Sequence, residues 1–177
     1  MSSHPLKILN DMEQAVLSAG VSLPEEVAVA EQWVGLAYKV GGFQFVTGMD
    51  EISEVVPASP FAVVPRSQSW LRGIANIRGR LLTVVDLQDY LGMDPVNIDQ
   101  YSRLIVINNA LLSCCLLVRR LQGLRHFDPV GDSCEAGELG QQWAHYISGG
   151  VCRDQDKWLV FDTDRLVDDK GFLNAAA

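Results

Sequence analysis

No apolar run in this chain is long enough to span about 30 Å of hydrocarbon as a helix. The most leader-like stretch, residues 6–17, carries Asp11 and Glu13, so no signal-peptide core is expected. Basic residues are few, 14 Lys and Arg against 22 Asp and Glu, and the net charge is −8. That balance speaks against nucleic acid, where a basic patch supplies much of the affinity, and against direct attachment to an anionic membrane surface. The three histidines, His4, His126 and His145, are scattered, with no HExxH or HxH spacing. Cysteines Cys114, Cys115, Cys134 and Cys152 include no CxxC, and the adjacent pair does not readily bridge itself. Neither a zinc site nor a disulfide framework is expected, and a reducing cytoplasm fits the chain. GxSxG, GxxxxGK[ST] and GxGxxG are all missing. No catalytic set, no metal and no cofactor are therefore expected.

What the sequence does have is apolar mass: 48% of 177 residues, enough for one domain or two small subdomains with a core. It is organised around residues 71–92, LRGIANIRGRLLTVVDLQDYLG. A strand over 73–77, a turn at Arg78-Gly79 and a strand over 80–85 form a hairpin, with Gly79 supplying the positive φ such turns use. Leu81, Leu82, Val84 and Val85 put apolar groups on both faces, which predicts a strand covered on both sides. Asp86 caps a short helix over 87–91 that Gly92 stops. An arginine at the tip of a rigid hairpin is presented for recognition.

Elsewhere the pattern is many short strands and few helices. Pro5 and Gly20 bound an amphipathic helix over 5–19, and a second helix start follows at 22–26. This leader packs on its own domain or offers a docking surface. Strands are expected over 34–40 and 43–47, joined by Gly41-Gly42, and over 104–107 and 111–118, joined by Asn108-Asn109. Residues 49–56 fit both a helix and a strand. A brief helix or turn over 141–146, a strand over 158–161, a helix capped by Asp162 and a partly loose tail from Lys170 complete the chain.

An internal repeat underlies this order. A shift of 76 lays residues 70–91 on 146–167 without a gap: Trp70 on Tyr146, Gly73 on Gly149, Val84-Val85-Asp86 on Val160-Phe161-Asp162. A weaker match lays 49–56 on 118–125. The fold class is therefore mainly β, two related units of about five short strands each, as in small barrels. The copies share the glycine, the apolar strand and the capping Asp. They differ at the tip, Arg78-Gly79 in one and Asp154-Gln155 in the other, so the hairpin as such does not require Arg78.

Few other residues invite a function. Arg119-Arg120 is a solvated basic face or a second docking patch for an acidic partner. Trp33, Trp70, Trp143 and Trp158 read as core anchors, and Cys114 and Cys115 as core residues of a strand. A binding protein follows, with a small-barrel nucleic-acid binder and an enzyme with an unrecognised site as the competing classes.

The run WLRGIANIRGRLLTVVDLQDYLG resembles the signature of the CheW-like chemotaxis adaptor family: apolar-Gly, N-[LIV]-R-G, an apolar strand, D-L, a short helix and Gly. GGFQFVTGMDEISEVV, LLSCCLLVRRLQGL and KWLVFDTDRLV are similar to further segments, and the likeness covers about residues 33–167. It implies two five-stranded SH3-like β-barrel subdomains in series over 32–170, with an N-terminal helical extension over 1–31 and a C-terminal tail over 171–177. It implies a non-catalytic adaptor coupling the cytoplasmic tip of a methyl-accepting chemoreceptor to a CheA-like histidine kinase, in the cytoplasm at membrane-associated receptor arrays. Arg78 and Gly79 fall on the family's turn Arg-Gly, and Glu54 on a glutamate that pairs with that arginine beside the receptor groove. Ile52 and Gly73 fall on positions of receptor contact. The N-terminal extension, the ANIRGRLL form of the motif and the C-terminal SGGVCRDQDKWLVF are most similar to the branch serving type IV pili and twitching motility. One departure stands out: Arg119-Arg120 replaces an acidic-glycine pair common in the family.

Overall fold

Short apolar runs punctuated by Gly, Asn and Asp fold into eleven strands in a computed structural model, which describes residues 32–109, 112–137 and 143–175. The expected helix over 5–19 and the start at 22–26 lie outside the described residues. The strands are β1 (Trp33–Val40), β2 (Phe43–Gly48), β3 (Ile52–Pro57), β4 (Leu71–Ile77), β5 (Arg80–Asp86), β6 (Arg103–Ile107), β7 (Cys114–Val118), β8 (Arg120–Phe127), β9 (Ser133–Cys134), β10 (Ile147–Arg153) and β11 (Asp156–Phe161). Three short helices accompany them: α1 (Leu87–Tyr90), α2 (Thr163–Val167) and α3 (Lys170–Leu173).

Two sheets result. One is contiguous in sequence, with strand order β3-β6-β7-β5-β4; the other runs β8-β1-β2-β11-β10-β9. The mainly-β class with two small related units stands, and the repeat defines their correspondence. Antiparallel β4–β5 matches β10–β11, and each slips register at its second residue pair, between Leu71 and Gly73 and between Ile147 and Gly149. Parallel β5–β7 matches parallel β11–β2. Ser53 on β3 and Gln122 on β8 are both skipped by the ladder, 69 residues apart like the weaker sequence match. The strands β3, β4, β5, β6, β7 thus correspond to β8, β10, β11, β1, β2. The N-terminal hairpin β1–β2 supplies the last two strands of the second unit, so the units interleave along the chain.

The core joins them. Tyr38 and Phe45 from the six-stranded sheet pack in one cluster with Ile105 and Leu116 from the five-stranded sheet and with Phe161 and Leu166. Phe45 and Phe161 stack at 5.7 Å. Glu51 fastens the β2–β3 connection to the start of α2, accepting from Thr163 N at 2.7 Å and Thr163 Oγ1 at 2.8 Å.

Several expectations change. Residues 49–56 divide into a 3-10 turn, Met49–Glu51, and strand β3. The strand expected over 111–118 begins at Cys114. The tail from Lys170 is ordered at its start: Asp169 caps α3, and Phe172, 5% exposed, stacks on Trp70 at 5.6 Å. A disulfide joins Cys134 to Cys152 where none was expected. Pairing of β9 with β10 sets Cys134 opposite Gly150, two residues from Cys152, and their Cα atoms lie 5.9 Å apart. Cys114 and Cys115 are free and buried, their thiols pushed up to about 12 by burial. Labelling the native protein with a maleimide is expected to modify no cysteine before reduction and two after it. Modification of Cys114 or Cys115 without denaturant would contradict this burial.

Candidate functional site

The Arg78 hairpin is built by local chemistry. Asn76 Oδ1 accepts from Gly79 N at 2.9 Å, closing the turn. Arg78 and Gly79 both adopt left-handed backbone, φ 51° and 83°, the twist that matches a two-residue β-hairpin. The counterpart turn does the same with Asp154 and Gln155, φ 51° and 71°, so neither copy depends on glycine at its first turn position.

What differs is the reach of the tip. Arg78 Nε lies 3.0 Å from Glu54 Oε2, with the arginine side chain 79% exposed and the glutamate 19%. This is an ion pair by distance; Glu54 Oε2 is otherwise shielded and has no hydrogen-bond partner. Glu54 belongs to β3, one edge of the five-stranded sheet, and Arg78 follows β4, the other edge. The pair therefore clasps the two margins of a curled sheet that no strand ladder closes among the described residues. A second tie lies beside it: Ala62, in the loop after β3, exchanges backbone hydrogen bonds of 2.9 and 2.8 Å with Ile74 of β4. In the other unit Arg153, beside the hairpin tip, donates to the backbone carbonyl of His126 on β8. Both units are thus drawn together by an arginine near the tip: Arg78 pairs closely with Glu54 on the opposite sheet edge, whereas Arg153 lies 4.0 Å from Asp132 Oδ2 in the loop after β8.

The remaining expected residues separate into two groups. Ile52 is 7% exposed and sits in the main core; Gly73 is buried under the 58–70 loop, where a Cβ would lie 2.3 Å from Ala62 O. Neither is presented at the surface. Arg119 and Arg120 are exposed at the junction of β7 and β8, on a separate face-forming connection. The expectation that β5 is covered on both sides holds from Val84 to Asp86, where Val84 and Val85 enter different core clusters, and fails at the tip end of the strand. Leu82 and Val84 point inward, whereas Leu81 is 69% exposed and Ile74 on β4 is 37% exposed. These two apolar groups flank the Arg78 tip. The apolar run on both strand faces was their signal in the sequence; Val85 shares the face of Leu81 and is buried, so only the tip end of that face is uncovered.

Arg78→Ala is expected to lower stability by less than about 1 kcal/mol, because a mostly exposed ion pair is screened by solvent. Urea unfolding checks this; a loss of several kcal/mol would make the clasp a principal support of the fold.

Comparison with known proteins agrees with this fold. The family model described as CheW-like domain matches residues 34–171. Protein PilI of Pseudomonas aeruginosa is 30% identical over 172 residues, 97% of this chain and 96% of the relative. Chemotaxis protein CheW of Thermotoga maritima is 22% identical, over 76% of this chain and 87% of its own. Protein FrzA of Myxococcus xanthus is 26% identical, over 64% and 71%. Among solved structures, scaffolding protein TtCheW from Thermoanaerobacter tengcongensis superposes with a TM-score of 0.66 at 16% identity, covering 74% of this chain and 89% of that one.

Proposed function

This chain belongs to the CheW-like domain family, and from that premise we propose that it is a non-catalytic adaptor in a chemosensory array, coupling the cytoplasmic tip of a methyl-accepting chemoreceptor to a CheA-like histidine kinase. The array is cytoplasmic, beneath the membrane that holds the receptors. Its pathway is the one controlling type IV pili and twitching motility, a reading supported by the similarity to Protein PilI along nearly the whole chain.

One observation carries the site: the first hairpin, unlike its own repeat, presents an arginine paired with Glu54 and flanked by the exposed Leu81 and Ile74. Apolar groups beside a fixed charge suit a receptor helix bundle, the apolar area providing affinity and the guanidinium fixing register. Ile52, Gly73 and Gly79 shape that rim, and Arg119-Arg120 forms a second docking patch. Each bond is weak alone, and repetition across an array supplies avidity.

Titration of a receptor cytoplasmic-tip fragment tests this reading. Arg78→Glu is expected to weaken binding at least tenfold while the thermal midpoint stays within a few degrees. Unchanged affinity would remove the hairpin from the site. The charge swap Glu54→Arg with Arg78→Glu separates two roles. Restored binding means that the pair acts by holding the rim; binding still lost means that Arg78 touches the receptor.

A further inference from the structure

We infer that the cationic surface where β1, β6 and β8 meet binds an acidic segment of a protein partner, a run of Asp and Glu side chains. The inference deepens the adaptor reading, on which it rests for expecting a protein partner. Two depressions adjoin there. One, of about 470 Å³, is lined by Lys39, Gly41, Gln88, Arg119 and Arg120. The other, of about 350 Å³, shares Arg120 and adds Tyr101 and Arg103.

Three observations point to an anionic occupant. Lys39 and Arg120 are direct partners in the antiparallel β1–β8 ladder, so two like charges face each other. Such a pairing is unfavourable in a free protein and is relieved by a carboxylate set between the two. Next, none of Lys39, Arg103, Arg119 or Arg120 forms an ion pair among the described residues, although acidic residues outnumber basic ones there as well. The Tyr101 amide, and then Ser102, hold the Asp99 carboxyl below the usual range; the charge of Arg119 adds only the smallest contribution. Finally, the surface is built. Gln88 Oε1 accepts from Gly41 N at 2.8 Å and Gln88 Nε2 donates to Asp94 O, which fixes the floor of the larger depression. Arg120 rests over the Tyr101 ring at 4.8 Å, and Arg103 is held by the carbonyls of Gln100 and Ser102 at 2.9 Å.

The geometry selects among anions. Two depressions bridged by one arginine match a segment with carboxylates several ångströms apart better than a single small ion. Guanidinium groups take carboxylates by paired hydrogen bonds. A nucleic-acid strand would run beyond these four cations onto a surface of net negative charge and be repelled within a Debye length of about 8–10 Å.

The test is titration of the full chain with a fluorescein-labelled octaglutamate peptide, with inorganic phosphate and an eight-nucleotide RNA as competitors. Saturable one-to-one binding is expected, with amide shifts at residues 39–41 and 119–121. It should weaken at least tenfold in Arg119→Glu/Arg120→Glu and in Lys39→Glu, and stay unchanged in Arg78→Glu. Arg120→Glu, now opposite Lys39, is expected to leave the thermal midpoint unlowered, which keeps loss of binding apart from loss of fold. No saturable binding, binding indifferent to these reversals, or stronger binding of RNA or phosphate would each overturn the inference. The receptor titration with Arg78→Glu remains a separate readout, so failure of the patch and failure of the adaptor reading are distinguishable.

Discussion

Replacing Asp86 by alanine is expected to cost about 3–4 kcal/mol, whereas the same change at its repeat counterpart, Asp162, costs about 1 kcal/mol. Both carboxylates cap a short helix, Asp86 accepting from Asp89 N at 3.2 Å and Asp162 from Arg165 N at 3.1 Å. Their surroundings differ. Asp86 is fully buried and also takes Arg72 Nη1 at 2.8 Å and Val96 N at 2.8 Å. Its loss strands a guanidinium that is 27% exposed and a buried amide in one stroke. Asp162 is 27% exposed and pairs with Arg165, 46% exposed, where water takes over the contact. A loss of about 3–4 kcal/mol is a large share of the stability of a domain this size. Urea midpoints of the two variants decide the matter. Equal losses would mean that the polar cluster around Asp86 contributes nothing beyond the cap.

A chain that starts at Met49 is expected not to fold, against one starting at Glu31 that does. The missing hairpin is internal to its sheet: β1 lies between β8 and β2, and β2 between β1 and β11. Leu36, Tyr38, Val40 and Phe45, none more than 5% exposed, leave the shared core with it. At about 1.5–3 kcal/mol for each buried large side chain the loss is roughly 6–12 kcal/mol, comparable to a whole domain's stability. Circular dichroism and size exclusion report the outcome. A cooperative melt from the shortened chain would mean that β3–β7 stands alone. Phe45→Ala is the milder form of the test, expected to cost about 3–5 kcal/mol.

Local features of this fold were legible in the sequence because local chemistry makes them. The turn at Arg78-Gly79, the capping by Asp86 and Asp162, and the repeat of hairpin plus helix depend on neighbours a few residues apart. Residues 49–56 stayed ambiguous for a physical reason. The ladder skips Ser53, which breaks the two-residue alternation of β3 and spaces Ile52, Val55 and Val56 as a helix would. The strand β10 was implied by the repeat yet weak by itself, since Ser148, Gly149 and Gly150 carry little β propensity. Long-range pairings left no such trace. Nothing near Phe45 announces Leu159 as its parallel partner, and nothing in the spacing of Cys134 and Cys152 announces a bridge that only β9–β10 pairing creates. At the site, the Glu54–Arg78 pair came from family resemblance, since β3 and β4 are brought together by the curl of a sheet. Leu81 was visible but assigned to a covered face, because an apolar residue meant for a partner has the same composition as one meant for the core.

The placement of β1 and β2 also orders events on the ribosome. They emerge before the other described strands, but Thr47 on β2 meets Phe161 on β11 across 114 residues of sequence. At about 5–20 residues per second, the hairpin waits on the order of ten seconds for its neighbour. The contiguous sheet β3–β7 is complete well before then and can collapse behind it. Synthesis therefore passes through a stage in which Phe45 and Val46 have no lasting cover from β11, and a nascent-chain chaperone that recognises extended apolar segments has a longer opportunity at β1 and β2 than at any other described strand.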